Sequence, residues 1–521
     1  MAKAKTSSFI HEFPLLVSNR QETKLLARMD MARQLYNACL GEALRRLALL
    51  RQSKKYQAAR RVNREDKKAR SKAFKDANQH YGFTEYGLHK FAVRVKNACH
   101  IGDHLDVHTV QKTASRAFCA VMMFAVTKRG RPRFKGQGQL LSVESKSNAA
   151  GIRFRACKNR SHVLWSGLAL PVILDRKDRH GVQAHALSCK IKYVRLICRK
   201  YNGKNRFYAQ LVLEGLPKQK SKNIVSDAAV CLDLGPSTYA LYSPGIADLQ
   251  QFCKELKPVH KKMRVLQRAL DRSRRVNNPD NYNQNGTVKT GARVWKQSGR
   301  YKDAKAALSG IFNRQAAYRK TLHGKLANEV LAIGKIIKLE DVSYKSFQKN
   351  YGKSTGFRAP GMFVSMLRRK AVSAGGKVID LPARKLKLSQ VCQCGEVVKK
   401  ALSERWHICD CGVRAQRDLY SAFLGYHVKD GVLDTAMAAA AWPGAESLLE
   451  QAVSRLIHQS ANEGKNFPQS FGLRRRQSGL PAKEDFAKVD TRDAVAVAPQ
   501  APSARAWEKL LVQYDPQNPR L

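Results

Sequence analysis

The sequence predicts a mixed α/β chain: a sheet layer with helices packed on it, a separate small β domain, and a helical segment inserted into that β domain. Three observations carry this. From residue 228 onward, short apolar runs alternate with long helical periodicities, the pattern of helices laid on a sheet. Basic strand-like runs occur at residues 8–18 and again between 138 and 215, on either side of long helical patterns. The 521 residues, 43% of them hydrophobic, suffice for more than one core and exclude a chain disordered throughout.

Taken in order, SFIHEFPLLVS at 8–18 reads as a strand. Leu25, Met29, Ala32, Tyr36, Leu40, Ala43, Leu47 and Leu50 then recur at spacings of three and four, which puts them on one helical face. The charged stretch 51–75 is either a helix against a phosphate backbone or a solvated face. A further helix spans 107–126, with Val110, Ala114, Ala117, Val121 and Phe124 as its stripe, and GRPRFKG at 130–136 ends it. GIRFRA, KIKYVRLICRK and RFYAQLVLEG read as antiparallel strands, and LPKQKSKN at 216–223 as a linker.

Strands are expected at 228–234, around 239–242, at 336–339 and at 377–381. Helices are expected at 254–275, 301–334, 361–374 and 417–426. The tail carries one helix, 443–459, with Leu448, Leu449, Val453 and Ile457 on its apolar face. Beyond 460 its Pro, Gln, Ser and Ala content without periodicity reads as disorder.

Charge narrows the function. The chain has 96 Lys and Arg against 40 Asp and Glu, a net of +56. Residues 426–521 hold 12 basic and 11 acidic side chains, so the first 425 carry +55. Self-repulsion of this size calls for a polyanionic partner, and nucleic acid supplies one. A histone-like or ribosomal role fits the charge but not the length. No apolar run is long enough to cross a bilayer, and no signal core follows residues 1–8, so a membrane or secreted protein is not expected. Twelve cysteines are too dilute for a disulfide scaffold, which favours a reducing compartment. Eight of them are scattered and expected as small buried apolar groups.

Three constellations can carry chemistry. Asp233 ends an apolar strand, Glu340 closes another, and Asp418 opens a short helix. Each alone is an ordinary surface or capping acid. Brought together they would repel one another and bind Mg²⁺ or Mn²⁺, whose hard character suits oxygen ligands and phosphodiester hydrolysis. Asp341 and Asp380 are alternative ligands or structural acids. Second, Cys392, Cys394, Cys409 and Cys411 form two C-x-C-G pairs, a donor set for tetrahedral Zn²⁺. A lost metal site, or His407 in place of one cysteine, are the competing readings. Third, basic residues surround aromatic ones: Arg131, Arg133 and Lys135 beside Phe134, and Lys296, Arg300 and Lys302 beside Trp295 and Tyr301. These are candidates for phosphate contact and base stacking, or helix boundaries with an aromatic anchor. Arg368 and Arg369 are phosphate candidates or a solvated face. His323 follows a basic run and is either a phosphate contact or a core histidine.

In this order, CLDLGPS at 231–237, IIKLED at 336–341, and SQVCQCG, ICDCG and RDLYSAF between 389 and 423 resemble the RuvC-like nuclease domain of TnpB. TnpB is the RNA-guided nuclease of insertion sequences, and the compact type V CRISPR effectors descend from it. YRKTLHGKLANEV, FVSMLRRKAVSAGGKVIDLP, LARMDMARQLYNACL and GRPRFKG extend the resemblance over about residues 8 to 425.

The resemblance implies a bilobed protein. A wedge β-barrel at 1–22 and 135–222 is interrupted by a helical recognition domain at 23–134. An RNase H-like (RuvC-like) nuclease domain at 223–388 continues through a zinc ribbon at 389–413 and a last helix at 414–430. A partly disordered extension at 431–521 follows. It further implies Asp233, Glu340 and Asp418 as the metal-holding catalytic acids, zinc on the four cysteines, a guide RNA, and target double-stranded DNA next to a short duplex motif read by the protein. A cytoplasmic, prokaryotic protein is implied too. The CxC spacing, Tyr420 in place of a frequent asparagine, and Pro236 depart from the family pattern.

The leading expectation is thus an RNA-guided DNA endonuclease. The alternatives are an RNA-guided protein that binds and blocks its target without cutting, and a strand-transferring transposase, for which the residues give no separate sign.

Overall fold

Every member of the stripe from Leu25 to Leu50 is buried, on a single helix, Asn19–Gln52. Its start is fixed by a capping box: the Ser18 hydroxyl accepts from the Gln21 N–H while the Gln21 side chain accepts from the Ser18 N–H. A computed structural model describes residues 6–157, 160–201, 203–291, 293–401, 403–462 and 471–473. Contacts divide the chain into two units.

The first unit comprises residues 1–228, 253–336 and 361–377. The charged stretch after residue 51 forms two helices, Lys54–Arg61 and Lys67–His80, which bury only Ala59 and Ala77 and so present a polar surface. Helices Glu85–Ala98 and Val107–Ala125 complete the helical part. Strand Ser8–Pro14 pairs antiparallel with Lys204–Glu214, which pairs with Ile191–Tyr201, and that with Ser142–Glu144. The strands at 8–14 and 191–214 therefore share one sheet, with the helices of residues 19–125 between them in the chain. Three more strands, Arg153–Arg155, His162–Trp165 and Leu168–Pro171, form a separate sheet, tied to the first strand's end by the Leu15–Val172 bridge. The pairings among described residues give these two open sheets and no closed barrel. The edge strand Ser142–Glu144, only three residues long, offers little ladder on which to close one. Helices His260–Val276, Gly299–Ile333 and Pro360–Ser373 also belong here. His323 is buried on the second of them and packs edge-on against Phe363, so it is a core histidine.

The second unit comprises residues 229–252, 337–360 and 378–521. Its sheet has the order Ile246–Gln251, Thr238–Ser243, Ala229–Leu234, Ile336–Glu340, Lys377–Leu381. The first of these, and helix Phe347–Arg358, have no counterpart among the sequence expectations. IADLQQ is short and polar at its end, and its partner is fixed by a two-residue turn through Gly245, whose φ is +78°. Helix Arg417–Tyr426 lies on the sheet over Ala229–Leu234 and Thr238–Ser243. Gly425 permits that closeness, because a Cβ there would come within 2.5 Å of Cys231 Sγ.

The tail helix runs from Thr435 to Asn462 rather than from 443, with Pro443 inside it. Apart from the end of this helix and residues 471–473, the expected disorder beyond 460 lies outside the described residues.

The scattered cysteines divide. Cys39, Cys198, Cys231 and Cys253 are buried as expected, but Cys99, Cys119 and Cys157 are exposed. Cys99 caps a helix end and Cys119 sits on the outer face of Val107–Ala125, outside its stripe. Among the described residues no helix is long and apolar enough to cross a membrane.

Candidate functional site

Asp233 is the fifth residue of strand Ala229–Leu234, and Glu340 ends the neighbouring strand Ile336–Glu340. Asp418 stands in the first turn of helix Arg417–Tyr426, where the helix dipole favours an anion. That helix is capped by Gln416, whose side-chain oxygen accepts from the Leu419 N–H at 2.9 Å. Strand ends and helix start meet at one cavity of about 250 Å³, lined by Asp233, Glu340, Asp418, Lys400, Arg405 and Arg417.

The three acids feel one another. Enclosure by protein, then the charges of Asp418 and Glu340, raise the Asp233 carboxyl well above the usual carboxylate range. Enclosure and the Asp418 charge push Glu340 up to about 7. Such a set is unfavourable ionised unless a cation is present, and carboxylate oxygens in a water-reachable cavity are the donors hard divalent ions take. The donor chemistry is of the kind that suits Mg²⁺ or Mn²⁺, while the group of described residues whose ligand atoms are already close-set for a metal ion is the cysteine cluster. Asp341 and Asp380 are exposed and do not line the cavity.

The wall also carries cations the sequence did not single out. Arg417 donates through Nε and Nη2 to Asp418 Oδ1, each at 3.3 Å, and through Nη1 to the Glu404 carbonyl at 2.6 Å. Arg405 faces the charges of Asp418 and Asp233. Arg417 could have been suspected from its place beside Asp418. Arg405 and Lys400 lie between the cysteine pairs with no spacing to mark them.

The four cysteine sulfurs lie within 4.8 Å of one another, the one such group of possible metal ligands among the described residues. Cys392 and Cys411 are 3.5 Å apart, and Cys394 and Cys409 3.6 Å. A tetrahedron with Zn–S bonds of ~2.3 Å has edges of about 3.8 Å, so the cluster can hold a metal ion of this kind. Gly395 and Gly412, both with φ of +92°, make the turns behind each pair. His407 is not a fourth ligand in place of a cysteine: its Nδ1 meets Lys400 Nζ at 2.5 Å and its ring lies on Tyr420, centroids 4.5 Å apart.

Tyr420, the departure from the family pattern, links the cluster to the helix of Asp418. Its hydroxyl accepts from the Gln393 N–H at 3.0 Å and lies 3.4 Å from Cys392 Sγ. Pro236 likewise has a role, its carbonyl accepting from the Ser354 hydroxyl at 2.7 Å.

The basic candidates all fall in the first unit. Arg131 and Arg133 are exposed. Lys135 is docked on the long helix: its N–H donates to Asn37 Oδ1 and its carbonyl accepts from Asn37 Nδ2, both at 2.9 Å, while its ammonium lies over the Tyr36 ring. Phe134 stays 58% exposed, available for stacking. Lys296, Arg300 and Lys302 are exposed, but Trp295 packs against Tyr282 and under Arg274, as an anchor does. Arg369 is exposed and Arg368 half-buried on Pro360–Ser373.

Residues 361–424 match the family model for the TNB domain of Cas12f1-like proteins. The matched segment holds both cysteine pairs and Asp418, part of the motifs on which the resemblance to TnpB and its descendants rests; CLDLGPS at 231–237 and IIKLED at 336–341 lie outside it. It supports a TnpB-like protein or compact type V effector. Among solved structures, the chain is similar to one titled "Cryo-EM structure of the Cas12f1-sgRNA-target DNA complex", at 12% identity over 81% of this chain and 98% of that one, TM-score 0.39. It is also similar to one titled "Cryo-EM structure of CRISPR-Cas12f Ternary Complex", at 10% identity over 77% and 81%, TM-score 0.25. No curated protein matches the chain.

Proposed function

We propose that this chain is an RNA-guided DNA endonuclease with an RNase H-like (RuvC-like) catalytic core, in which Asp233, Glu340 and Asp418 are the catalytic acids. One observation carries the reading: three carboxylates from two adjacent strands and a helix face a single cavity that also bears arginine and lysine. An acidic cluster meant only for stability would not be enclosed where its members raise one another's affinity for protons.

In this reading Asp233, Glu340 and Asp418 hold Mg²⁺ or Mn²⁺, which when bound lowers the pKa of water and neutralises charge on the phosphodiester. Arg405 and Lys400 orient the strand by its phosphate oxygens, and Arg417 fixes the rotamer of Asp418. The four thiolates hold a structural zinc, and Tyr420 carries the position of that ribbon into the helix of Asp418. Guide RNA and target DNA are the polyanions that the +55 of the first 425 residues answers. Base pairing selects the sequence while the protein contacts backbone.

The test loads the full chain with the RNA that co-purifies with it, supplies matching duplex DNA and Mg²⁺, and compares wild type with Asp233→Ala. Product from wild type alone is expected. Product that persists in the variant removes the catalytic assignment. Guide-dependent binding without product from either would make the chain a silencing protein instead.

A further inference from the structure

Residues 471–473 are distant in sequence from the site, yet pack onto its wall. Phe471 is 1% exposed, in the apolar core that includes Leu419, Tyr420 and Phe423, and Leu473 packs against the same core. The Gly472 carbonyl accepts from the Trp406 Nε1–H at 3.3 Å. Gly472 has φ of +70°, and a Cβ built there would lie 2.3 Å from Arg405 Cβ and 3.0 Å from its Cγ. Glycine is thus required twice, by left-handed backbone and by closeness of approach. The other side of Arg405 is held as well, its carbonyl accepting from the Arg417 N–H at 2.8 Å. Arg405 is not inert surface: it lines the carboxylate cavity and faces Asp418 and Asp233.

We propose that residues 471–473 are a positioning strap for Arg405. Phe471 anchors the strap, and Gly472 lays backbone against the Arg405 stem and grips the next indole. The guanidinium is thereby kept at the cavity wall, where it takes a phosphodiester oxygen of the strand to be cut. An arginine stem left loose would lose its rotamer freedom on every encounter with substrate; the strap removes that freedom beforehand. This role rests on the nuclease reading, and the strap itself touches no reacting atom.

The test is a double-mutant cycle in the guide-loaded full chain: Gly472→Ala, Arg405→Ala and both together, with Phe471→Ala as a second strap variant. Gly472→Ala is expected to slow single-turnover cleavage roughly 10- to 100-fold, the scale of a small misplacement, with target affinity unchanged. In the Arg405→Ala background it should slow cleavage no further. An equal loss in both backgrounds, or no loss from either strap variant, overturns the proposal. Mn²⁺ affinity, read by calorimetry without DNA, gives the same cycle independently of cutting, because Arg405 opposes a cation in the cavity. Gly472→Ala should change that affinity only where Arg405 is present. If wild type does not cut, the nuclease reading fails and the Mn²⁺ cycle alone decides the strap: coupling sustains it and additivity ends it. Thermal melting identifies a variant that fails to fold, and the Phe471→Ala cycle then carries the comparison.

Discussion

Asp233 is the last residue but one of an apolar strand and Glu340 ends another, and at that level nothing separates them from any solvated acid. Enclosure beside Asp418 changes their chemistry. Glu340 moves from an ordinary 4.5 to about 7, and Asp233 moves in the same direction. At these two positions the folded chain therefore binds more protons than the unfolded one between those values. The contribution of these two acids to metal-free stability is present in full below about 4.5 and falls as pH rises, the part due to Glu340 being lost above about 7. A melting series without divalent ions should show that decline. Asp233→Asn should flatten it and raise the melting temperature at pH 8, while Mg²⁺ should stabilise wild type at pH 8 more than the variant. A pH dependence of the melting temperature that is the same in wild type and Asp233→Asn across this window would contradict the coupling. Single residues also explain what the sequence hid. Arg405 sits between cysteine pairs like any surface arginine, and only the fold aims it at two carboxylates.

At the scale of elements, the site depends on how two strands and a helix are tied together. Lys338 lies on the glutamate strand, and its ammonium donates to the Tyr426 carbonyl and, at 2.8 Å, to the Val428 carbonyl, capping the C-terminus of the Asp418 helix. Lys338→Met leaves those carbonyls without their charged donor. We expect a loss of about 2 kcal/mol in chemical denaturation, with cleavage falling as strand and helix slip. The ribbon is the second tie. Metal analysis should find one zinc per chain, and Cys394→Ser should release it. Tyr420→Phe should keep the zinc but lower activity, since the hydroxyl that joins Cys392 and Gln393 to the helix is gone. The periodicities of these elements were plain in the sequence, and helix Arg417–Tyr426 has the bounds its pattern predicted. The strand Ile246–Gln251 was not legible, because a short, half-polar run acquires its strand character from the partner it pairs with.

For the whole molecule, charge is the governing quantity. Most of the +56 lies before residue 426, and the eight basic candidates lie in the first unit. Affinity for guide RNA should therefore fall steeply with salt, by about 10³- to 10⁵-fold between 50 and 200 mM if six to ten phosphates are neutralised. Replacing Arg131 and Arg133 by alanine should reduce the slope of log affinity against log salt by about one for each phosphate that is no longer neutralised. An unchanged slope would remove this pair from the interface. The extension is the other lesson at this scale. Its helix Thr435–Asn462 packs on the sheet edge, with Arg455 donating to the Ala247 carbonyl at 2.6 Å, so the apolar face expected at 443–459 belongs to the core of the second unit, on a helix that starts eight residues earlier.

The sequence by itself determined the helix stripes, the paired cysteines, the strand-end acids and the charge that demands a polyanion, because each is written in neighbouring residues or in composition. Only the tertiary structure decided that Asp233, Glu340 and Asp418 share a cavity, that Arg405 faces them, and that Gly472 lies against Arg405. These juxtapositions join residues far apart in the chain, and packing, unlike periodicity, leaves no local trace in the order of amino acids.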